Sequence, residues 1–255
     1  VIQDTIEGSD YSLRVHYLDE DADEVKEAVR MCREHKPMGI LFLGGNIQYF
    51  HEEFELVNVP CVLVTDRADK LGFRNLASVS TDDMAAAEMA VDYLFDHGHR
   101  DIAVIGGDMA LSSPSKYRKA GAKRSFIKHG CEFEEESYAV ARFSYESAYN
   151  AMNRMLASKR SITAVFAMSD VMAVGAMRAI FDAGLRVPED ISVIGFDGTL
   201  LADYYNPKIV TVCQGYEKIA RKSIDLLFGM IDLNKPATHE LVPFSLKNTE
   251  SVSSI

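Results

Sequence analysis

Short apolar runs recur along the chain, and most are apolar throughout rather than alternating with polar residues. Residues 13–17, 39–43, 61–65, 101–105, 137–140, 164–168 and 191–196 have strand character. A strand covered on both faces reads this way, which predicts a parallel sheet. Helical patterns lie between the runs. Residues 84–97 place Met84, Ala87, Ala90, Val91, Leu94 and Phe95 on one face, and Gly98 is placed to stop the helix. A second helix is predicted over 116–129, ending at Gly130. A third, over 170–183, carries Val174, Met177, Ile180 and Phe181 on one face, with Asp170 as its N-cap and Gly184 at its end. A fourth covers 216–233 and stops near Asn234 and Pro236. Strand–helix alternation of this kind predicts an α/β fold that presents ligands at the C-terminal ends of its strands.

Composition narrows the classes. The 255 residues include 27 Lys and Arg against 38 Asp and Glu, a net charge of −11. That balance disfavours binding of a phosphate backbone by these residues alone. No apolar stretch approaches the ~20 residues of a membrane span. No basic segment and apolar run follow Val1, so no secretory signal is visible. Cys32, Cys61, Cys131 and Cys213 are scattered without CxxC pairing, which fits reduced thiols in the cytoplasm and argues against zinc.

Several motifs fail on inspection. Asp19, Asp21 and Asp23 resemble the opening of a calcium loop. Glu24 then stands where that loop needs Gly, and Arg30 where it needs Glu. Acids at the start of a helix are the simpler reading. His97 and His99 flank Gly98 without further ligands, so no metal site is assigned. The dinucleotide, P-loop and nucleophile-elbow signatures are absent, and no nucleophile–base pair supports catalysis. No cofactor is implied.

Four segments are specific when taken in order: GHRDIAVIGG (98–107), KYRKAGAKRSF (116–126), TAVFAMSDVMAVGAMRAIFDAGLRVPEDISVIGFDG (163–198) and YYNPKIVTVCQ (204–214). Together they resemble the effector-binding domain of the lac repressor family of bacterial transcriptional regulators. The resemblance implies two Rossmann-like lobes with parallel sheets flanked by helices, joined by three crossings, as in periplasmic sugar-binding proteins. It implies a first lobe of residues 1–80 plus 214–237, and a second of 81–213 plus 238–255. The family's helix-turn-helix headpiece and first strand have no counterpart here. Residues 1–13 read as the end of a helix running into the second strand. Thr81-Asp82 replaces the usual Asp-Asn, and Thr249-Glu250-Ser251 the usual Arg-Glu-Ser.

The resemblance also implies a small-molecule effector, a sugar or similar metabolite, held between the lobes. A polyhydroxylated ring needs acceptors, a forked donor and an aromatic plate. Asp197, after the run 191–196, is the expected acceptor, with a turn role as its alternative. Arg118 matches the family's R-x-x-G arginine and is expected to open the helix at 116–129; a surface role is the alternative. Phe143 is the candidate plate, or a core residue. Ser169 and Asp170 follow the run 164–168. Asp66 follows 61–65, where an ion pair with Arg67 is the competing reading. Gln214 lies at the second crossing, as hinge or ligand contact. The expected whole is a cytoplasmic homodimer that binds operator DNA only through the missing headpiece, with no membrane partner. A solute receptor of a sugar transporter is the alternative on the same fold; an enzyme is disfavoured.

Overall fold

The computed structural model describes residues 1–19, 22–158 and 161–255. The chain divides into two compact units: Val1–Thr81, Leu111–Ser113 and Gly215–Pro243 in the first, and Asp82–Ala110, Pro114–Gln214 and Phe244–Ile255 in the second.

The first unit contains helices α1 (Ile2–Glu7) and α2 (Glu24–His35) and strands β1 (Ile40–Leu43), β2 (Cys61–Val64) and β3 (Leu76–Thr81). Later in the chain it adds α8 (Tyr216–Leu233) and β9 (His239–Val242). Its sheet runs β1-β2-β3-β9, parallel throughout. Alternate residues of β2 serve opposite faces. Cys61 and Leu63 join Val25 and Val29 of α2 and Phe42, Phe50 and Phe54; Val62 and Val64 join Ile219, Leu227 and Met230 of α8. Both faces are therefore apolar, as the run 61–65 predicts. Helix α2 starts at Asp23, whose side chain accepts from the amides of Val25 (3.1 Å) and Lys26 (3.0 Å). That is the capping chemistry expected of an acid here, and it needs no calcium loop. Asp21 lies outside the described residues.

The second unit contains α3 (Asp83–Asp96), β4 (Ile102–Gly106), all but the first residue of α4 (Ser113–Lys128), β5 (Tyr138–Val140) and α5 (Tyr145–Ala157). It continues with β6 (Ala164–Ala167), α6 (Asp170–Asp182), β7 (Ser192–Asp197), α7 (Leu200–Tyr204), β8 (Val210–Cys213) and β10 (Ser245–Lys247). The sheet order is β10-β8-β7-β6-β4-β5, and only β10 is antiparallel to its neighbour. Helices α3, α5 and α6 supply buried faces to one core around β4, β6 and β7. Gly98 and Gly184 adopt φ of +95° and +77° just past their helices, a conformation that favours glycine.

Three expectations change. Residues 13–17 form no strand: they pair with neither edge of the first sheet, and Leu13, Val15 and Tyr17 are exposed. Alternating apolar residues make a strand only where a ladder partner exists. Residues 239–242 were expected in the second lobe, but β9 pairs with β3 (Ser78 opposite His239), so the first unit extends to Pro243. The expected break before Gln214 instead falls after it. Strand β3 itself was not predicted, because Ser78, Ser80 and Thr81 interrupt its apolar pattern while being buried.

Candidate functional site

Five of the seven candidate residues gather at the C-terminal edge of the second unit's sheet, and Gln214 joins them from the end of β8. Asp197 is the last residue of β7 and has φ +118°. A non-glycine residue in that region carries strain of roughly 1–3 kcal/mol and persists only where its surroundings fix it. Two contacts do so from the side. Gln214 Nε2 donates to Asp197 Oδ1 at 2.7 Å, and the Gln214 amide donates to the Asp197 carbonyl at 3.2 Å.

Asp170 fixes the following loop from beneath. Its Oδ2 accepts from the amide (2.7 Å) and hydroxyl (2.8 Å) of Thr199, and its Oδ1 accepts from Thr211 Oγ1 at 2.6 Å. Burial pushes the Asp170 carboxyl up, while the Thr211 and Thr199 donors pull it down. The residue is 0% exposed. Asp170 is not the helix cap. The N-cap of α6 is Ser169, whose hydroxyl accepts from the Met172 amide at 3.1 Å. The Asp170 carboxylate supports the loop: it reaches no solvent and its oxygens serve three donors.

Arg118 is not a surface arginine, and it does not open its helix. Helix α4 begins at Ser113, and Arg118 sits in the second turn at 4% exposure. Nε donates to Asp83 Oδ1 at 2.7 Å and Nη1 to the Met168 carbonyl at 2.6 Å. The guanidinium lies 3.7 Å from the Phe196 ring centroid, a cation–π contact one residue before Asp197. Nη2 makes no hydrogen bond among the described residues. Phe143, 37% exposed, lies over the backbone after β4: a Cβ on Gly107 would stand 2.9 Å from its Cε2. The same Cβ would stand 2.5 Å from Ser115 Oγ, so two side chains crowd the position that glycine occupies. Tyr138 donates to the Gly107 carbonyl at 2.6 Å, and burial pushes its hydroxyl pKa up.

Asp66 belongs to the first unit, just past β2. It is buried and accepts from the Arg67 amide at 2.7 Å. The Arg67 guanidinium donates to Asp69, at 3.1 and 3.2 Å, which holds the Asp69 carboxyl below its ordinary value.

Asp83, Thr199 and Thr211 escaped sequence reasoning. Their signals are faint: a second acid at a helix start, and single hydroxyls beside or within apolar strands. His97 and His99 are structural. His97 Nδ1 meets the Tyr93 carbonyl at 2.7 Å; His99 is buried between Thr163 Oγ1 (3.1 Å) and the Ser253 carbonyl (3.0 Å), and burial pushes its pKa down. Among the described residues no group of three His, Cys, Asp or Glu is placed to hold a metal, and no helix is long and apolar enough to cross a membrane.

A periplasmic binding protein-like domain model matches residues 91–252. The chain is 32% identical, over its whole length and 77% of the relative's, to the HTH-type transcriptional regulator MalR of Clostridium butyricum. It is 36% identical to the probable HTH-type transcriptional repressor ExuR of Bacillus subtilis, over 76% of this chain and 56% of that one. Among solved structures, the transcriptional regulator CelR–cellobiose complex superposes with a TM-score of 0.81 at 26% identity, over 89% of this chain and 70% of that one. The chain spans between half and about three quarters of the curated relatives it matches.

Proposed function

Because the chain belongs to the periplasmic binding protein-like family of lac repressor-type transcriptional regulators, we propose that it is the effector-binding part of such a regulator. Its ligand is a small polar metabolite, a sugar or a close relative. Asp197 accepts from ligand hydroxyls, Phe143 supplies the apolar plate, and Nη2 of Arg118 is the remaining donor of a guanidinium otherwise anchored to the scaffold. Ser169 lies beside them at the end of β6, and Asp66 is the first unit's candidate. Operator DNA is read by a helix-turn-helix headpiece outside these residues. Effector binding biases that headpiece between competent and incompetent states. The working form is a cytoplasmic homodimer, and no step of this function is catalytic.

The observation that carries the reading is the preset carboxylate of Asp197: strained backbone, anchored side chain, half-buried position. Stored strain at the end of a sheet strand is characteristic of binding sites. Calorimetric titration of cellobiose, D-ribose, other sugars and a nucleoside panel tests it. Asp197→Ala is expected to weaken binding of whichever compound binds by about tenfold or more, the scale of one charged hydrogen bond. An unchanged affinity would overturn the assignment, as would an unfolded variant, which would make Asp197 a turn residue only.

A further inference from the structure

The anchoring of Asp197 has an unusual address. Gln214 is the last residue of the second unit, and Gly215, at φ +71°, is the first residue of the next stretch of the first unit. The residue that grips the Asp197 carboxylate is therefore also the residue at which the chain passes between units. The grip has two points, the 2.7 Å side-chain bond and the 3.2 Å backbone bond. It is also tight laterally. Asp197 sits opposite Cys213 in the β7–β8 register, and a Cβ on Gly198 would stand 2.5 Å from Cys213 Sγ and 2.7 Å from its Cα. The 197–198 segment has no room to shift without moving 213–214. Beneath it, the Asp170 bonds to Thr199 and Thr211 close off the alternative of the loop lifting by itself.

We propose that Gln214 is a positioning residue for Asp197, and that it carries the state of that carboxylate to the chain passage at Gln214–Gly215. Gln214 is 3% exposed, and its side chain holds one oxygen of the carboxylate. A ligand that pulls on Asp197 pulls on Gln214, and the amides of residues 214–216 respond. This deepens the reading of Asp197 as a ligand contact and takes its regulatory meaning from it. Its test uses no ligand, so the two fail separately.

The test is hydrogen–deuterium exchange on the 255-residue chain, resolved to the amides of 214–216 and, as a reference, of β4 and β6. Gln214→Met keeps side-chain length and removes the donor. Asp197→Ala removes the acceptor. Asp197→Asn keeps an acceptor oxygen. Gln214→Met and Asp197→Ala are each expected to speed exchange at 214–216 about tenfold, the equivalent of one lost hydrogen bond of ordinary strength, with β4 and β6 unchanged. The double variant is expected to be no faster than the faster single variant, because both substitutions remove the same Gln214–Asp197 bond. Asp197→Asn is expected to remain within about twofold of wild type. Three results overturn the proposal: unchanged exchange at 214–216 in Gln214→Met, multiplied effects of about a hundredfold in the double variant, or faster exchange throughout β4 and β6, which marks a merely structural role. If Asp197→Ala does not fold, the contrast between Gln214→Met and Asp197→Asn decides.

Discussion

Replacing Arg118 with Met is expected to cost the second unit about 3–5 kcal/mol of stability, the scale of breaking a buried ion pair from one side. The side chains of Arg118 and Asp83 are each 5% exposed and meet at 2.7 Å. Methionine fills most of the volume but leaves a carboxylate in a site with little water. It also strips the Met168 carbonyl of its 2.6 Å donor and the Phe196 ring of its cation. The desolvated charge dominates: an unmet buried carbonyl costs about 1–3 kcal/mol and the cation–π contact about 0.5–2. At about 2–4 °C per kcal/mol for a domain of this size, the midpoint of the thermal transition should fall by about 6–20 °C. Urea unfolding and calorimetry of wild type, Arg118→Met, Asp83→Ala and the double variant form the cycle. A coupling of about 0.5–3 kcal/mol is expected, since the second substitution removes the charge the first one stranded. A loss below about 1 kcal/mol in Arg118→Met would show that its pairing with Asp83 carries little weight.

Other expectations follow from single contacts. Gly175→Ala should destabilise by about 1–3 kcal/mol, despite the better helix propensity of alanine, because the new Cβ would stand 2.3 Å from the Tyr145 carbonyl where α5 meets α6; a stabilised variant in urea titration would refute the close approach. Glu135 is held down to about 2 by hydrogen bonds from Lys119 and Lys123. Its stabilising contribution is therefore complete above its ordinary value of 4.5 and is lost as pH falls toward 2. Glu135→Gln should flatten the stability profile in that window, and about 0.5 M salt should shrink the difference because the group is exposed; profiles that coincide at low salt would count against it. The chain alone, at −11, should give no specific complex with operator-length DNA in an anisotropy titration at ~50 mM salt, while light scattering should report a dimer. Nanomolar DNA binding refutes the first, a ~28 kDa species the second.

Period and punctuation made most of the architecture legible. The runs 61–65, 164–168 and 191–196 became doubly covered strands, and the glycines after 84–97 and 170–183 ended their helices. What stayed hidden depended on partners distant in sequence. Residues 13–17 have a strand's composition but no neighbour to pair with, a fact the local pattern does not contain. Strand β3 was disguised by Ser78, whose hydroxyl is buried because it accepts from the Ala68 amide and meets His239 Nδ1 at 2.9 Å. Arg118 and Asp83 are 35 positions apart, so the pairing that buries the arginine was invisible from either helix.

In the candidate site, residue type alone does not separate side chains that brace the scaffold from side chains that reach solvent. Asp170, Arg118 and Asp197 are charged residues gathered near the C-terminal ends of strands, and the sequence offers each a different competing role: an N-cap, a surface arginine and a turn acid. Desolvation separates them. A fully buried charge must have its partners inside the protein, and Asp170 has them in Thr199 and Thr211, Arg118 in Asp83 and Met168. Asp197 keeps contact with solvent while its backbone holds a conformation that costs free energy. The buried residues supply the rigidity that makes that conformation persist. Weakening Asp170 or Gln214 should therefore let Asp197 relax and reduce affinity without touching a ligand, whereas substituting Phe143 should reduce affinity with the 197–199 loop unchanged.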